Sequence, residues 1–150
     1  MAVLALPVQR RQHATPTKIV LVLAGSFNPI TDKHLELIRA ATAYFARHAD
    51  RYVVVGIVVS PVHKKYKKPG LTGSNFRLDM CTEAVREFNR KTGLSVVVSD
   101  WEVTRKEYST TIEVLTHFQE EANRREARNC QGSQGIQARS SSAASTCSSR

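Results

Sequence analysis

Nowhere in its 150 residues does the chain carry an apolar run near the length a membrane helix needs, about 18 residues. It has three cysteines, Cys81, Cys130 and Cys147. Their odd number and irregular spacing exclude a disulfide framework and a zinc motif, so they read as reduced thiols of an intracellular, cytoplasmic or nuclear protein. No acidic residue precedes Asp32. The opening MAVLALPVQRRQ puts its apolar stretch ahead of its arginines, the reverse of a secretory signal; an organelle-targeting arm is the alternative left open. The net charge is +9, yet residues 122–150 hold five basic residues and one acidic, so much of the high pI belongs to the tail. That dilutes any case for a nucleic-acid surface, and no nucleic-acid module is recognisable.

What is present is a β-α alternation. KIVLVLA (18–24) is a short, continuous apolar run of the kind buried on both faces in a parallel sheet. A turn follows at 25–31, then a helical pattern over Asp32–His48 with Leu35, Ile38, Thr42 and Phe45 at helical spacing and Asp32 as its cap. YVVVGIVVS (52–60) is a second strand. A helix from Ser74 to about Lys91 turns Phe76, Met80, Ala84, Val85 and Phe88 inward, with Gly93 as its stop. LSVVV (94–98) is a third strand and Ser99–Tyr108 a loop. Thr110 and Glu113 open a last helix with a capping box, burying Ile112, Leu115, Phe118 and Ala122. The expected class is α/β, a parallel sheet between helix layers with right-handed crossovers. Residues 1–17 are expected to be a disordered arm, 18–127 the folded domain, and 128–150, rich in Ser, Gln and Gly, a disordered tail.

Three loops leave the carboxyl ends of the three strands, where open α/β sheets bind ligands. Gly25-Ser26-Phe27-Asn28-Pro29-Ile30-Thr31 lets backbone N–H groups approach a phosphate, with a helix N-terminus behind and His34 in its first turn. Read alone, this segment is equally a tight turn with an exposed histidine. Ser60–Leu71 sets four lysines around Tyr66, which suits phosphate charge beside a base or ribose, although a solvated charge run is the usual meaning of such a stretch. The third loop carries Trp101, the only tryptophan, whose π face suits a planar heterocycle. The convergence of all three on one rim outweighs any one of them.

These blocks together resemble the eukaryotic-type nicotinamide/nicotinate mononucleotide adenylyltransferases over residues 18–121. GSFNPIT with His34 is similar to that family's glycine turn, and Thr31-Asp32-Lys33-His34 to its version of the (H/T)-x-x-H motif. SPV-x-x-x-YKK-x-GL resembles its second block. Arg77, Met80, Trp101-Glu102 and Thr111–Leu115 fall in its order. The resemblance implies a Rossmann-like nucleotidyltransferase fold and transfer of the adenylyl group of ATP to the mononucleotide, with Mg²⁺ accompanying ATP and no identifiable protein site for the metal. It implies that Gly25, Ser26 and Phe27 line the dinucleotide, that His34 contacts the ATP phosphates, and that Thr31 belongs to the nucleotide-binding site. Tyr66, Lys67 and Lys68 would hold the mononucleotide side, with His34 and Lys68 the catalytic pair. Trp101 would stack on the pyridine ring with Thr104 nearby.

Two departures stand out. Pro69 occupies a position where the family usually carries a lysine, and neither the family's Gly-Ala-Asp block nor its Thr-x-x-Arg block follows residue 121. The expectation is a chain truncated after about three strands. The resemblance gives a sheet order 3-2-1-4-5, so KIVLVLA would become an exposed edge. The chain would then be poorly soluble or homo-oligomeric, with little transfer activity. A different adenylyl- or cytidylyltransferase, and a non-catalytic nucleotide-binding isoform, are the competing readings.

Overall fold

The computed structural model describes residues 2–7, 15–63, 65–66 and 68–140, with backbone only at residue 2 and over 129–140. The elements are β1 (Ala2–Pro7), β2 (Thr17–Gly25), α1 (Asp32–Ala46), β3 (Tyr52–Pro61), α2 (Ser74–Thr92), β4 (Val96–Val98), α3 (Trp101–Thr104) and α4 (Thr111–Ser140). They form a four-stranded sheet in the order β1-β2-β3-β4. β2, β3 and β4 are parallel, and β1 is antiparallel to β2. The sheet is thus mixed rather than purely parallel, and the class is α/β as expected.

β2 divides the core in two. Ile19, Leu21 and Leu23 point to one face and pack with Leu35 and Ile38 of α1 and with Cys81, Val85 and Phe88 of α2. Val20 and Val22 point to the other face and pack with Val114 and Phe118 of α4. Strand alternation thereby sends neighbouring residues into different layers, which is why the run is apolar throughout. In β3 the alternation is interrupted. Ile19 pairs with Val54 but Val20 pairs with Gly56, a bulge that leaves Val55 unpaired and shifts the phase of the strand. Val53, Val55 and Val97 stay exposed on the part of the sheet beyond α4.

Several sequence expectations need correction. Residues 2–7, assigned to a disordered arm, form β1, paired with β2 from Ala2↔Ala24 to Pro7↔Ile19. β2 is therefore not an edge, and the reason given for poor solubility falls. The backbone groups of AVLALP complete the ladder of β2, and Val3 and Leu6 reach opposite core clusters. Gln119 of α4 donates its side-chain N–H to the Pro7 carbonyl, and Lys18 forms an ion pair with Glu126. The helix expected to end near residue 127 continues to Ser140, so the first part of the expected tail is helical; residues 8–14 and 141–150 lie outside the described residues. Ile112 and Phe76, expected in the core, are 76% and 70% exposed, while Val114, Arg77 and Cys81 take the inward positions.

Deleting residues 2–7 is expected to uncover the hydrogen-bonding edge of β2 and drive self-association. Light scattering after size exclusion checks this: a deletion variant that stays as monodisperse as the parent chain contradicts the role given to β1.

Candidate active site

The glycine turn begins where β2 ends. Val62 N–H donates to the Gly25 carbonyl at 3.0 Å, so the ends of β2 and β3 are fastened side by side. Phe27 has φ +40°, the left-handed region that costs a non-glycine residue about 1–2 kcal/mol. Its ring is 1% exposed within the main core cluster, and that burial holds the strained backbone.

Thr31, not Asp32, is the N-cap of α1. Its backbone N–H donates to His34 Nδ1 at 2.8 Å. A backbone N–H can only donate, so Nδ1 is an acceptor and Nε2 carries the imidazole hydrogen. His34 packs edge-on to Phe27, with centroids 5.5 Å apart. Partial burial lowers its pKa from the usual histidine value and so favours this neutral form.

The basic loop folds back onto the turn. Lys68 Nζ donates to Ser26 Oγ at 3.2 Å. Asn28 Nδ2 donates to the Gly70 carbonyl at 3.0 Å, and Asn28 Oδ1 accepts from Thr72 N–H at 3.0 Å. Lys65 is neutralised by Glu107 at 3.0 Å, whereas among the described residues no carboxylate lies within ion-pair distance of Lys68. Tyr66 stacks on Tyr108 at 6.2 Å, and Lys67 lies outside the described residues.

Arg77 joins these loops from beneath. It is fully buried and donates from Nε to Thr72 O (2.9 Å), from Nη1 to Ser26 O (2.9 Å) and from Nη2 to Val62 O (2.7 Å). One guanidinium thus holds the glycine turn and both ends of the basic loop. Burial lowers its pKa, opposed by the fields of Cys81 and Glu102, but a guanidinium stays charged.

The third loop differs from expectation. Trp101–Thr104 is a short helix, α3, in place of an open loop. Trp101 is half-buried in the cluster beneath α4. Its ring already stacks on His117 (3.9 Å, 8° between planes), and the Arg105 guanidinium carbon lies 4.7 Å from its centroid. Thr104 is exposed, its hydroxyl bonded to the Asp100 and Trp101 carbonyls. α3 is tied to the segment leaving β3. Glu102, 3% exposed, accepts from Ser60 Oγ and from His63 N–H, each at 3.3 Å. Desolvation pushes its carboxyl pKa up, and those two hydrogen bonds oppose the shift.

Gly25, Ser26, Phe27, Thr31, His34 and Lys68 are therefore brought together. Trp101 and Thr104 belong to a second group, joined to the first through Glu102, His63 and Val62. A separate trough of about 340 Å³ lies between β3, β4 and α4, and none of the expected site residues lines it. Among the described residues no three His, Cys, Asp or Glu side chains cluster as a metal cage. The roles of Arg77, Glu102, His63 and Asn28 were not assigned from the sequence. The signals were the places of Arg77 and Trp101-Glu102 in the order of the family's blocks, and Arg77 itself, a cation near a helix N-terminus, where the dipole disfavours it.

A family model described as cytidylyltransferase-like matches residues 22–134. The chain belongs to that family. It is 39% identical over 106 residues to "Nicotinamide/nicotinic acid mononucleotide adenylyltransferase 2" of Danio rerio, covering 71% of this chain and 33% of the relative. The corresponding figures are 38% over 109 residues for the protein named adenylyltransferase 1 of the same series in Bos taurus (73% and 37%). For the Schizosaccharomyces pombe enzyme of that name they are 37% over 107 residues (71% and 28%). The chain spans about a third of the length of these curated relatives.

Arg77→Lys is expected to cost about 2–4 kcal/mol in urea unfolding, because one ammonium cannot serve the Thr72, Ser26 and Val62 carbonyls and leaves buried acceptors unpaired. An unchanged midpoint would remove Arg77 from the frame of the site. His34 gives a pH dependence. Its folded pKa lies below its unfolded value, so its contribution to stability is present above the ordinary histidine range and is lost as pH falls through the depressed value. Protonating Nδ1 also breaks the bond from Thr31 N–H. His34→Gln should flatten the part of the stability–pH curve below about pH 6.5, and a curve of unchanged shape would contradict the assignment.

Proposed function

We propose that this site takes ATP over the glycine turn and nicotinamide or nicotinate mononucleotide toward Trp101, and transfers the adenylyl group to give the dinucleotide and pyrophosphate. The mononucleotide phosphate oxygen forms a bond to the α-phosphorus of ATP as the bond from that phosphorus to the β-phosphate oxygen breaks. No side chain forms a covalent bond in this step. The protein contributes alignment and compensation of charge.

One observation carries the reading. Lys68, without a carboxylate partner among the described residues, is held 3.2 Å from Ser26 Oγ at the end of β2, where the glycine turn and the α1 N-terminus converge. A fixed cation beside a helix N-terminus suits a site where two phosphate groups meet, Lys68 facing the mononucleotide phosphate and the helix N-terminus the ATP polyphosphate. His34 adds a neutral donor, because Thr31 N–H occupies Nδ1 and leaves Nε2–H for a phosphate oxygen. Thr31 also carries an exposed hydroxyl at the same turn. Gly25, Ser26 and Phe27 offer backbone to the dinucleotide. Tyr66, Lys67 and Lys68 belong to the mononucleotide side. Trp101 supplies the aromatic surface for the pyridine ring, which would exchange for one of its present neighbours, His117 or Arg105; Thr104 flanks it. Mg²⁺ enters as part of the nucleotide substrate, held by triphosphate oxygens, and supplies charge neutralisation on the leaving pyrophosphate.

Similarity to relatives named for this activity supports the same reading. Turnover by the chain itself is tested by incubating it with MgATP and the mononucleotide and measuring dinucleotide and pyrophosphate. His34→Ala and Lys68→Ala should each lower kcat/KM about 10²–10³-fold, the loss expected when one donor to developing phosphate charge is removed. Nucleotide binding without product would favour the non-catalytic alternative. Activity with a cytidine nucleotide in place of ATP would favour another transferase of the same family.

A further inference from the structure

α3 has four residues, too few to hold a helix by its own hydrogen bonds, yet it carries both Trp101 and Thr104. Its orientation comes from three hydrogen bonds, two reaching out from α3 and one reaching back to it. From the first turn of α3, the Glu102 carboxylate reaches across to Ser60 Oγ and His63 N–H. From the segment after β3, the His63 ring reaches back: its Nε2 lies 2.8 Å from the Arg105 carbonyl, the residue that ends α3. Lys65 N–H donates to His63 Nδ1 at 3.0 Å, so that nitrogen is the acceptor and Nε2–H is the donor to Arg105. His63 is fully buried and Glu102 nearly so, and neither touches the groups that would meet the phosphates.

We propose that Glu102 and His63 form a reciprocal clamp that sets the spacing between the basic loop and α3, and that they act as positioning residues for the mononucleotide. The clamp has its hold at both ends of α3, so the helix can neither swing about its start nor lift at its end. The same His63 orders the loop on its other side, since Tyr66 N–H donates to the His63 carbonyl at 3.0 Å and Lys68 N–H to the Tyr66 carbonyl at 2.8 Å. The distance from Lys68 to Trp101 is thus set through Glu102 and His63, and this distance must match the span from the phosphate to the pyridine ring. ATP, seated over β2 and α1, depends on Arg77 and Thr31 instead. The inference rests on the adenylyl-transfer reading for the identity of the ligand, and on geometry alone for the clamp.

Trp101 is the only tryptophan, so its emission reports on α3 without labelling. The full chain and its variants would be titrated with nicotinamide mononucleotide by fluorescence, and separately with MgATP by calorimetry. Glu102→Ala should weaken mononucleotide binding about tenfold or more while changing MgATP binding less than about threefold, the asymmetry expected when a hydrogen bond to a charged group positions only one half of a site. Glu102→Gln, whose amide oxygen still accepts from His63 N–H, should return mononucleotide affinity to within about threefold of the parent. Equal weakening of both ligands, a glutamine variant as weak as alanine, or no change at all would each overturn the clamp. If the alanine chain does not fold, His63→Ala removes the return bond to Arg105 and is expected to give the same asymmetry; unchanged mononucleotide affinity there overturns it equally. If the parent chain binds neither nucleotide, the adenylyl-transfer reading fails, and acrylamide quenching of Trp101 still decides the clamp. Quenching should rise when Glu102 or His63 is removed, and equal quenching in parent and variants ends the proposal.

Discussion

A single guanidinium, that of Arg77, is bound to three backbone carbonyls from segments far apart in the chain, Ser26, Val62 and Thr72. Burying a cation is costly unless its donors are satisfied, and here the compensation comes from carbonyl dipoles, helped by the field of Glu102. The arrangement is directional in a way a carboxylate partner would not be. Three in-plane N–H groups fix three loops in relative position, so the turn, the start of the basic loop and its end share one reference point. Ser26 O is one of those acceptors and Phe27, with its positive φ, follows directly. The strained turn is therefore held from both sides, by a buried ring and by a cation on the preceding carbonyl.

The sheet supplies the other half of the frame. β2 and β3 run parallel from Thr17↔Tyr52 to Gly25↔Pro61, so both loops leave at the same height. β2 is buried on both faces, and β1 covers its remaining edge. The consequence for chemistry is rigidity where charge must be met. Lys68 reaches Ser26 from a loop whose ends are pinned, and His34 is locked by its bond to Thr31 in the tautomer that offers Nε2–H. Preorganised donors of this kind need little rearrangement when charge develops on a phosphate.

The strand–helix order and the three loops were legible because they rest on local pattern: apolar β-branched runs, helical spacing, and Gly93 at the end of α2, where it takes φ +71°. The capping box at Thr110 and Glu113 was legible for the same reason, and its bonds are present. β1 was not, because the apolar MAVLAL stretch runs into Pro7 and an arginine-bearing segment, and pairing with β2 is a non-local event that periodicity does not encode. Phe76 and Ile112 were misplaced for a related reason. Each sits on the outward side of its helix's first turn, where the inward positions go to Arg77 and Val114. Arg77 and Glu102 stood in the text among surface-type residues. Their burial depends on partners up to 51 positions away, and composition gives no hint of it.

The two halves of the site differ in how they are held, and this bears on function. The glycine turn and α1 continue directly from the central strand and are fixed by the main core. α3 is a four-residue helix at the margin of the sheet, and β4 before it pairs over only Val96–Val98. Its aromatic residue rests on α4 through His117, an interaction between two rings that a planar ligand could replace at similar cost, since stacked aromatic pairs contribute about 0.5–1.5 kcal/mol beyond their buried area. A phosphate site benefits from stiffness, because charge falls off sharply with misplacement. A ring-stacking site tolerates exchange of partners. The chain puts its left-handed turn, its buried cation and its locked imidazole on the first, and its shortest helix, held by two side-chain bonds from Glu102 and one from His63, on the second.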